Sequence, residues 1–127
     1  MNLLIADKST RLYNYVVDIF SISIIIFFAF FFIVMGFNPQ GNFIFFVVCF
    51  LGYYGYYFLF EWQTGRTLGK FLTNTKVTDL NGGQPAFLQI LIRTLLRLPF
   101  IDGVSFLVGS PLAIHDRLSM TRVIKIK

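Results

Sequence analysis

Residues 19–60 read IFSISIIIFFAFFFIVMGFNPQGNFIFFVVCFLGYYGYYFLF, a run of 42 positions without one charged side chain, bracketed by Asp18 and Glu61. A single bilayer crossing takes ~20 apolar residues, so the run is too long for one span and suits two. Turn-forming residues cluster only in its middle, at Gly36-Phe37-Asn38-Pro39-Gln40-Gly41-Asn42. The stretch therefore predicts a helical hairpin through a membrane, with spans at about 12–36 and 42–60 and both charged brackets on one side.

The rest of the composition agrees. The 127 residues fit one domain, 1–127, and are 56% hydrophobic, 19% aromatic and 13% charged. A soluble domain carries about 25% charged residues, too many for this chain to match, so lipid must solvate part of its surface. The net charge of +5 is explained by topology, and no nucleic-acid partner is expected. Lys8 and Arg11 precede the uncharged run, and Arg66, Lys70, Lys76, Arg93, Arg97, Arg117, Arg122, Lys125 and Lys127 follow it. Basic residues near span ends stay cytoplasmic, which predicts a multi-pass inner-membrane protein with both termini in the cytoplasm. The single cysteine, Cys49, lies inside the second span and implies neither a disulfide framework nor a cysteine metal site. A cleaved signal peptide fits poorly, because 19–35 exceeds an h-region and no small-x-small site follows.

The fold expected is an all-α integral membrane protein: a two-span helical hairpin plus amphipathic or re-entrant helices and a small cytoplasmic β-hairpin. Thr10 is placed to cap a first helix beginning near Arg11. Tyr53, Tyr54, Tyr56, Tyr57 and Trp62 read as an interfacial belt, in preference to an aromatic ligand site. Residues 61–98 read as cytoplasmic or interfacial. Within them, 63–74 is helical, with Leu68, Phe71 and Leu72 on one face. Residues 75–79 alternate like a strand, and Asn81-Gly82-Gly83 predicts a tight turn or small hairpin. Pro85 suits the start of a helix over 86–98, where Gln89, Arg93 and Arg97 form one polar stripe. That stripe either snorkels to phosphates or faces acidic residues of the hairpin. Pro99 ends the helix, and the apolar 100–114 is read as re-entrant or surface-lying, a third span being the alternative. The basic tail, 115–127, then stays cytoplasmic.

Ionisable groups at membrane depth default to functional hypotheses. Arg11 and Asp18 share a helix face ~10 Å apart along the axis, too far for an easy ion pair. Asp18 therefore wants a partner among Arg66, Lys70, Arg93 and Arg97, or its pKa rises through desolvation. It then either carries a proton or a cation, or ties the first helix to later segments; the sequence favours the tie. His115-Asp116-Arg117 can orient an imidazole or cap the tail. One histidine predicts no metal site, no cofactor is expected, and the absence of a nucleophile motif argues against an enzyme. Gly65-Arg66-Thr67-Leu68-Gly69-Lys70 only faintly resembles a phosphate loop, lacking its glycine spacing and preceding strand.

Taken in order, these residues resemble the RDD family, small bacterial membrane domains named for one arginine and two aspartates. The likeness runs through Arg11 and Asp18, Gly65-Arg66-Thr67-Leu68-Gly69-Lys70, Lys76-Val77-Thr78-Asp79 with Gly82, Arg93, and His115-Asp116-Arg117 with Ser119, Thr121 and Val123. Arg11 and Asp18 take the places of the family's arginine and first aspartate, and Asp116 that of the second. Met120 stands where a small residue is expected. The resemblance implies transport of unknown ligands, some members looking like sodium/proton antiporters. Two spans hardly enclose a pathway, so a homo- or hetero-oligomer is implied; the alternative is a non-enzymatic scaffold or partner-binding subunit. The expected ion, ligand or charge-network residues are Arg11, Asp18, Glu61, Arg66, Lys70, Arg93, Arg97, His115 and Asp116.

Overall fold

The computed structural model describes residues 4–37, 42–97 and 114–126. Two long helices, α1 (Lys8–Phe37) and α2 (Asn42–Thr64), form the hairpin. Both are long and apolar enough to cross a membrane, and few of their side chains are buried. Nineteen residues separate Asp18 from Phe37 on α1, and nineteen separate Glu61 from Asn42 on α2. At ~1.5 Å per residue both carboxylates stand ~29 Å from the hairpin tip. That common height is what lets one set of later residues serve both.

Around the open end of the hairpin lie α3 (Leu68–Leu72), β1 (Thr75–Asp79), α4 (Phe87–Leu95), α5 (Ile114–Leu118) and β2 (Thr121–Lys125). Helix α3 packs on α1, and α4 packs on α2. Strand β1 is present where the alternation predicted it, but the expected local hairpin is not. Its antiparallel partner is β2, in register from Thr75 opposite Lys125 to Asp79 opposite Thr121. The predicted tight turn is present, but it leads elsewhere: Asp79 Oδ1 accepts from the amides of Asn81 and Gly83, both at 2.8 Å, and the chain continues into α4 instead of a return strand. Residues before α1 extend the sheet, with Ala6 N donating to Val123 O at 2.9 Å and Lys125 N to Leu4 O at 2.8 Å. Ala6, Val77, Ile90 and Val123 form the small core beneath it, with Phe58 against them. The start of the chain is thus clamped to its end.

The start of α1 departs from expectation. The helix begins at Lys8, and Thr10 does not cap it. Ser9 and Thr10 both donate to the carboxylate of Asp7, at 2.9 and 2.8 Å, so Asp7 organises the first turn. Lys125 also reaches Asp7, at 2.5 Å, and this hydrogen bond is the largest influence holding that carboxyl well below its usual range. Both side chains are about half exposed, so the pair adds little stability. Helix α4 is shorter than predicted, ending at Leu95, and its first turn is closed by Gln89 Oε1 accepting from Ala86 N at 2.9 Å. The predicted tip loop at 38–41 and the apolar segment 100–113, with the stop at Pro99, lie outside the described residues.

Two glycines decide how the later half meets the hairpin. Gly65, at φ +69°, terminates α2 in the left-handed region, and its carbonyl accepts from Val77 N at 2.9 Å. Gly69 lies directly against the α1 backbone: a Cβ there would stand 2.4 Å from Asn14 O and 2.8 Å from Asn14 Cα. Neither backbone atom can give way without moving α1. Gly69→Ala is therefore expected to cost at least ~1–3 kcal/mol through overpacking. Gly55→Ala, where a Cβ meets nothing within 4 Å, should leave stability unchanged or slightly raised, since alanine favours helix. Thermal unfolding in detergent micelles measures both, and equal melting temperatures for the two variants would refute the close-approach argument.

Candidate functional site

The site is built on Glu61, fully buried near the end of α2. Tyr53, Tyr57 and Glu61 recur every four residues, so they share one face of that helix. Three cations converge on the Glu61 carboxylate. Lys70 Nζ lies 2.6 Å from Oε1, Arg93 Nε 2.8 Å from Oε2, and Arg97 Nη2 3.0 Å from Oε1. They come from α3, from α4 and from the residues just past α4. A single buried carboxylate therefore ties three separate segments to the hairpin. The Arg97 guanidinium also lies over the Tyr57 ring, 3.8 Å from its centroid.

The second centre is Asp116 on α5. Arg11, from the first turn of α1, and Arg93 take its two carboxylate oxygens. Arg93 bridges both centres, and its Nη1 donates further to Thr121 Oγ1 at 2.8 Å. Ser119 Oγ lies 2.8 Å from the same Thr121 hydroxyl and donates to His115 O at 2.5 Å. The closing motif thus folds as a cap over Arg93. His115 Nε2 stands 3.4 Å from both Arg97 Nη2 and Asp116 Oδ1. Burial pushes the His115 pKa well below its ordinary value, and Arg97, Arg93 and Lys70 push it the same way, so the ring is neutral. Burial likewise lowers the Lys70 pKa, opposed by the adjacent Glu61.

Asp18 forms the third centre, and here the expectation is corrected. No described cation lies within ion-pair distance of it. Instead Thr67 Oγ1 donates to Oδ2 at 2.6 Å, while Tyr56 Oη and Gly69 N donate to Oδ1, each at 2.9 Å. Hydrogen bonds to the charged form replace the ion pair, because the close approach of Gly69 to α1 presents a backbone N–H at the right place. Arg11, too far along the helix to pair easily with Asp18, is on Asp116. Arg66 joins none of the three centres; it is half-buried and lines a groove with Phe60, Thr64, Leu68 and Phe71.

Several site residues were not singled out by sequence. Tyr53, Tyr56 and Tyr57 are buried against Ile22, whereas the expected belt would have faced headgroups; of the set only Trp62 is largely exposed. For Tyr53 and Tyr57, the spacing relative to Glu61 carried that signal. Asn14, on the α1 face shared by Arg11 and Asp18, is the other omission. With its amide nitrogen toward Gly69 O (2.8 Å) and Thr73 Oγ1 (2.6 Å), its oxygen accepts from Thr75 at 3.1 Å, so it joins α1, α3 and β1. Between the three centres lies a cavity of about 30 Å³ lined by Arg11, Asn14, Asp18, Lys70, Arg93 and Arg97, among others. A water needs ~10–15 Å³ by this measure, so there is room for one or two. Among the described residues no three His, Cys, Asp or Glu side chains converge as metal ligands.

Two measurements check this geometry. Arg93→Met leaves Glu61 and Asp116 each short of a buried partner and is expected to cost ~3–5 kcal/mol. Arg66→Gln should stay within ~0.5 kcal/mol of wild type. Melting of both variants in detergent decides the point, and similar losses would contradict the assignment. The second concerns pH. His115 binds its proton more weakly folded than unfolded, so stability is complete above the unfolded value of 6.5 and falls as pH drops through it. Wild type should lose up to ~1.4 kcal/mol per pH unit between about pH 6.5 and 5.5 through this group. His115→Gln should flatten that part of the profile.

With this geometry in place, comparison with known proteins can be read. Neither the curated proteins nor the solved structures give a match to the chain. The family model described as RDD family matches residues 5–120, nearly the whole chain and every segment that builds the three centres. Two helices able to span a membrane and this match fit a membrane protein, and the chain belongs to the RDD family.

Proposed function

We propose that the chain is an inner-membrane protein that crosses the bilayer twice and moves a small ion or ligand as an oligomer. The reading is non-enzymatic. The observation that carries it is the cavity of roughly 30 Å³ at the open end of the hairpin, lined by buried ionisable groups from α1, α3, α4 and the segment after α4. Buried ionisable side chains gathered around a cavity in a membrane protein default to a functional hypothesis. The basic residues of α1, α3 and α4 all cluster at this end, which supports placing it, with both termini, on the cytoplasmic face. Asp18, Glu61 and Asp116 would then form the inner mouth. A two-helix hairpin encloses no channel by itself, so a second copy or another chain completes the path.

One observation favours the alternative, a scaffold or partner-binding subunit. Each carboxylate already has partners within the chain: Glu61 three cations, Asp116 two arginines, and Asp18 three hydrogen-bond donors. Reconstitution separates the two readings. Wild-type vesicles are expected to dissipate a proton, sodium or potassium gradient. Asp18→Asn is expected to lose that flux while costing ~1.5–3 kcal/mol in stability, the value of hydrogen bonds to a charged group. Wild-type vesicles that pass none of these ions would favour the scaffold.

A further inference from the structure

Arg66 is a half-buried cation outside the charge network. Arg66 follows the Gly65 turn two residues after α2 ends, and no described side chain pairs with its guanidinium. Its backbone is fixed by Thr64: the Thr64 hydroxyl donates to Arg66 O at 2.8 Å and accepts from Arg66 N at 3.2 Å. The neighbouring Thr67 hydroxyl is committed to Asp18. Arg66 is thus held in place by its surroundings, yet its charge is not consumed by them.

The guanidinium shares a groove of about 300 Å³ with Phe60, Thr64, Leu68 and Phe71. Leu68 and Phe71 are exposed on α3, at 42% and 65%. A soluble protein rarely leaves large apolar side chains around an unpaired arginine at the mouth of a groove. A phospholipid explains the combination, because its phosphate and its acyl chains are joined within one molecule. The groove is of the size of a headgroup with the start of its chains, and basic residues beside a span are drawn to anionic headgroups. Arginine also offers a planar fork that matches phosphate oxygens.

We propose that an anionic phospholipid binds at the end of the second span, with its phosphate on Arg66 and its acyl chains along Phe60, Leu68 and Phe71. This rests on the hairpin crossing a bilayer, but not on transport by the site beside it. The purified full chain in detergent, titrated with phosphatidylglycerol or phosphatidylcholine and read by native mass spectrometry, tests it. Wild type should retain phosphatidylglycerol in preference to phosphatidylcholine. Arg66→Gln should lower that retention about tenfold, the factor of one charge-assisted hydrogen bond, with an unchanged melting temperature. Arg122→Gln, on β2, should bind as wild type does. Equal retention by wild type and Arg66→Gln, or equal losses in Arg66→Gln and Arg122→Gln, would overturn the site. Displacement of the lipid by inorganic phosphate or glycerophosphate alone would reassign it to a free anion and also overturn the proposal. Alkaline carbonate extraction of membranes reports insertion separately, so failure of the two-span premise is distinguishable from failure of this site.

Discussion

Glu61 accepts Lys70, Arg93 and Arg97 in a place where water is excluded, and the arrangement of everything after the hairpin depends on that contact. A carboxylate buried alone is very costly, and three cations buried without it are worse. The two problems cancel only when α3, α4 and the segment after it assemble at one height on α2. Arg93 then carries the arrangement onward to Asp116, and Asp116 draws in Arg11 from the start of α1. The chain's first helix, its middle and its last turn are thereby held by a single connected set of charges. Hydrophobic packing contributes less here than in a soluble domain, because the buried apolar clusters are small and most large apolar side chains are exposed.

The three carboxylates use different chemistry for the same end. Glu61 is neutralised by cations, Asp116 by two arginines, and Asp18 by neutral donors from Tyr56, Thr67 and Gly69. Asp18 manages without a cation because Gly69 brings a backbone N–H against α1, and a side chain at that position would prevent the approach. The charge network and the glycine contact are therefore coupled: one sets the height of α3 and the other its distance. His115, kept neutral by burial and by the surrounding cations, fills the remaining edge without adding charge. Arg66 lies outside this set and lines a groove with Phe60, Thr64, Leu68 and Phe71.

Much of this was legible beforehand. The uncharged run, its bracketing acids, the arginine stripe at four-residue spacing and the closing His115-Asp116 motif identified two helices and most of the ionisable residues that converge. The partners were harder. Arg11 was weighed against Asp18 because they share a helix face, but one helix turn sequence cannot show that Asp116, more than a hundred residues away, approaches from outside. Composition predicts a belt for the tyrosines, whereas the four-residue spacing of Tyr53 and Tyr57 to Glu61 places those two inward. Alternation predicts the strand at Thr75–Asp79 but not its partner β2, since pairing across 41 intervening residues leaves no local signal.

What the sequence by itself determined is the hairpin: length, apolarity and the position of charges suffice, because a helix satisfies its own backbone and needs no distant partner. The common height of Asp18 and Glu61 follows from counting residues. Which donor meets which carboxylate was decided only by tertiary structure. Ion pairs and backbone contacts depend on distances of a few ångströms between segments far apart in the chain, and no periodicity encodes them. That is why the charged residues could be named from the sequence, while their pairing, the Gly69 contact and the isolation of Arg66 could not.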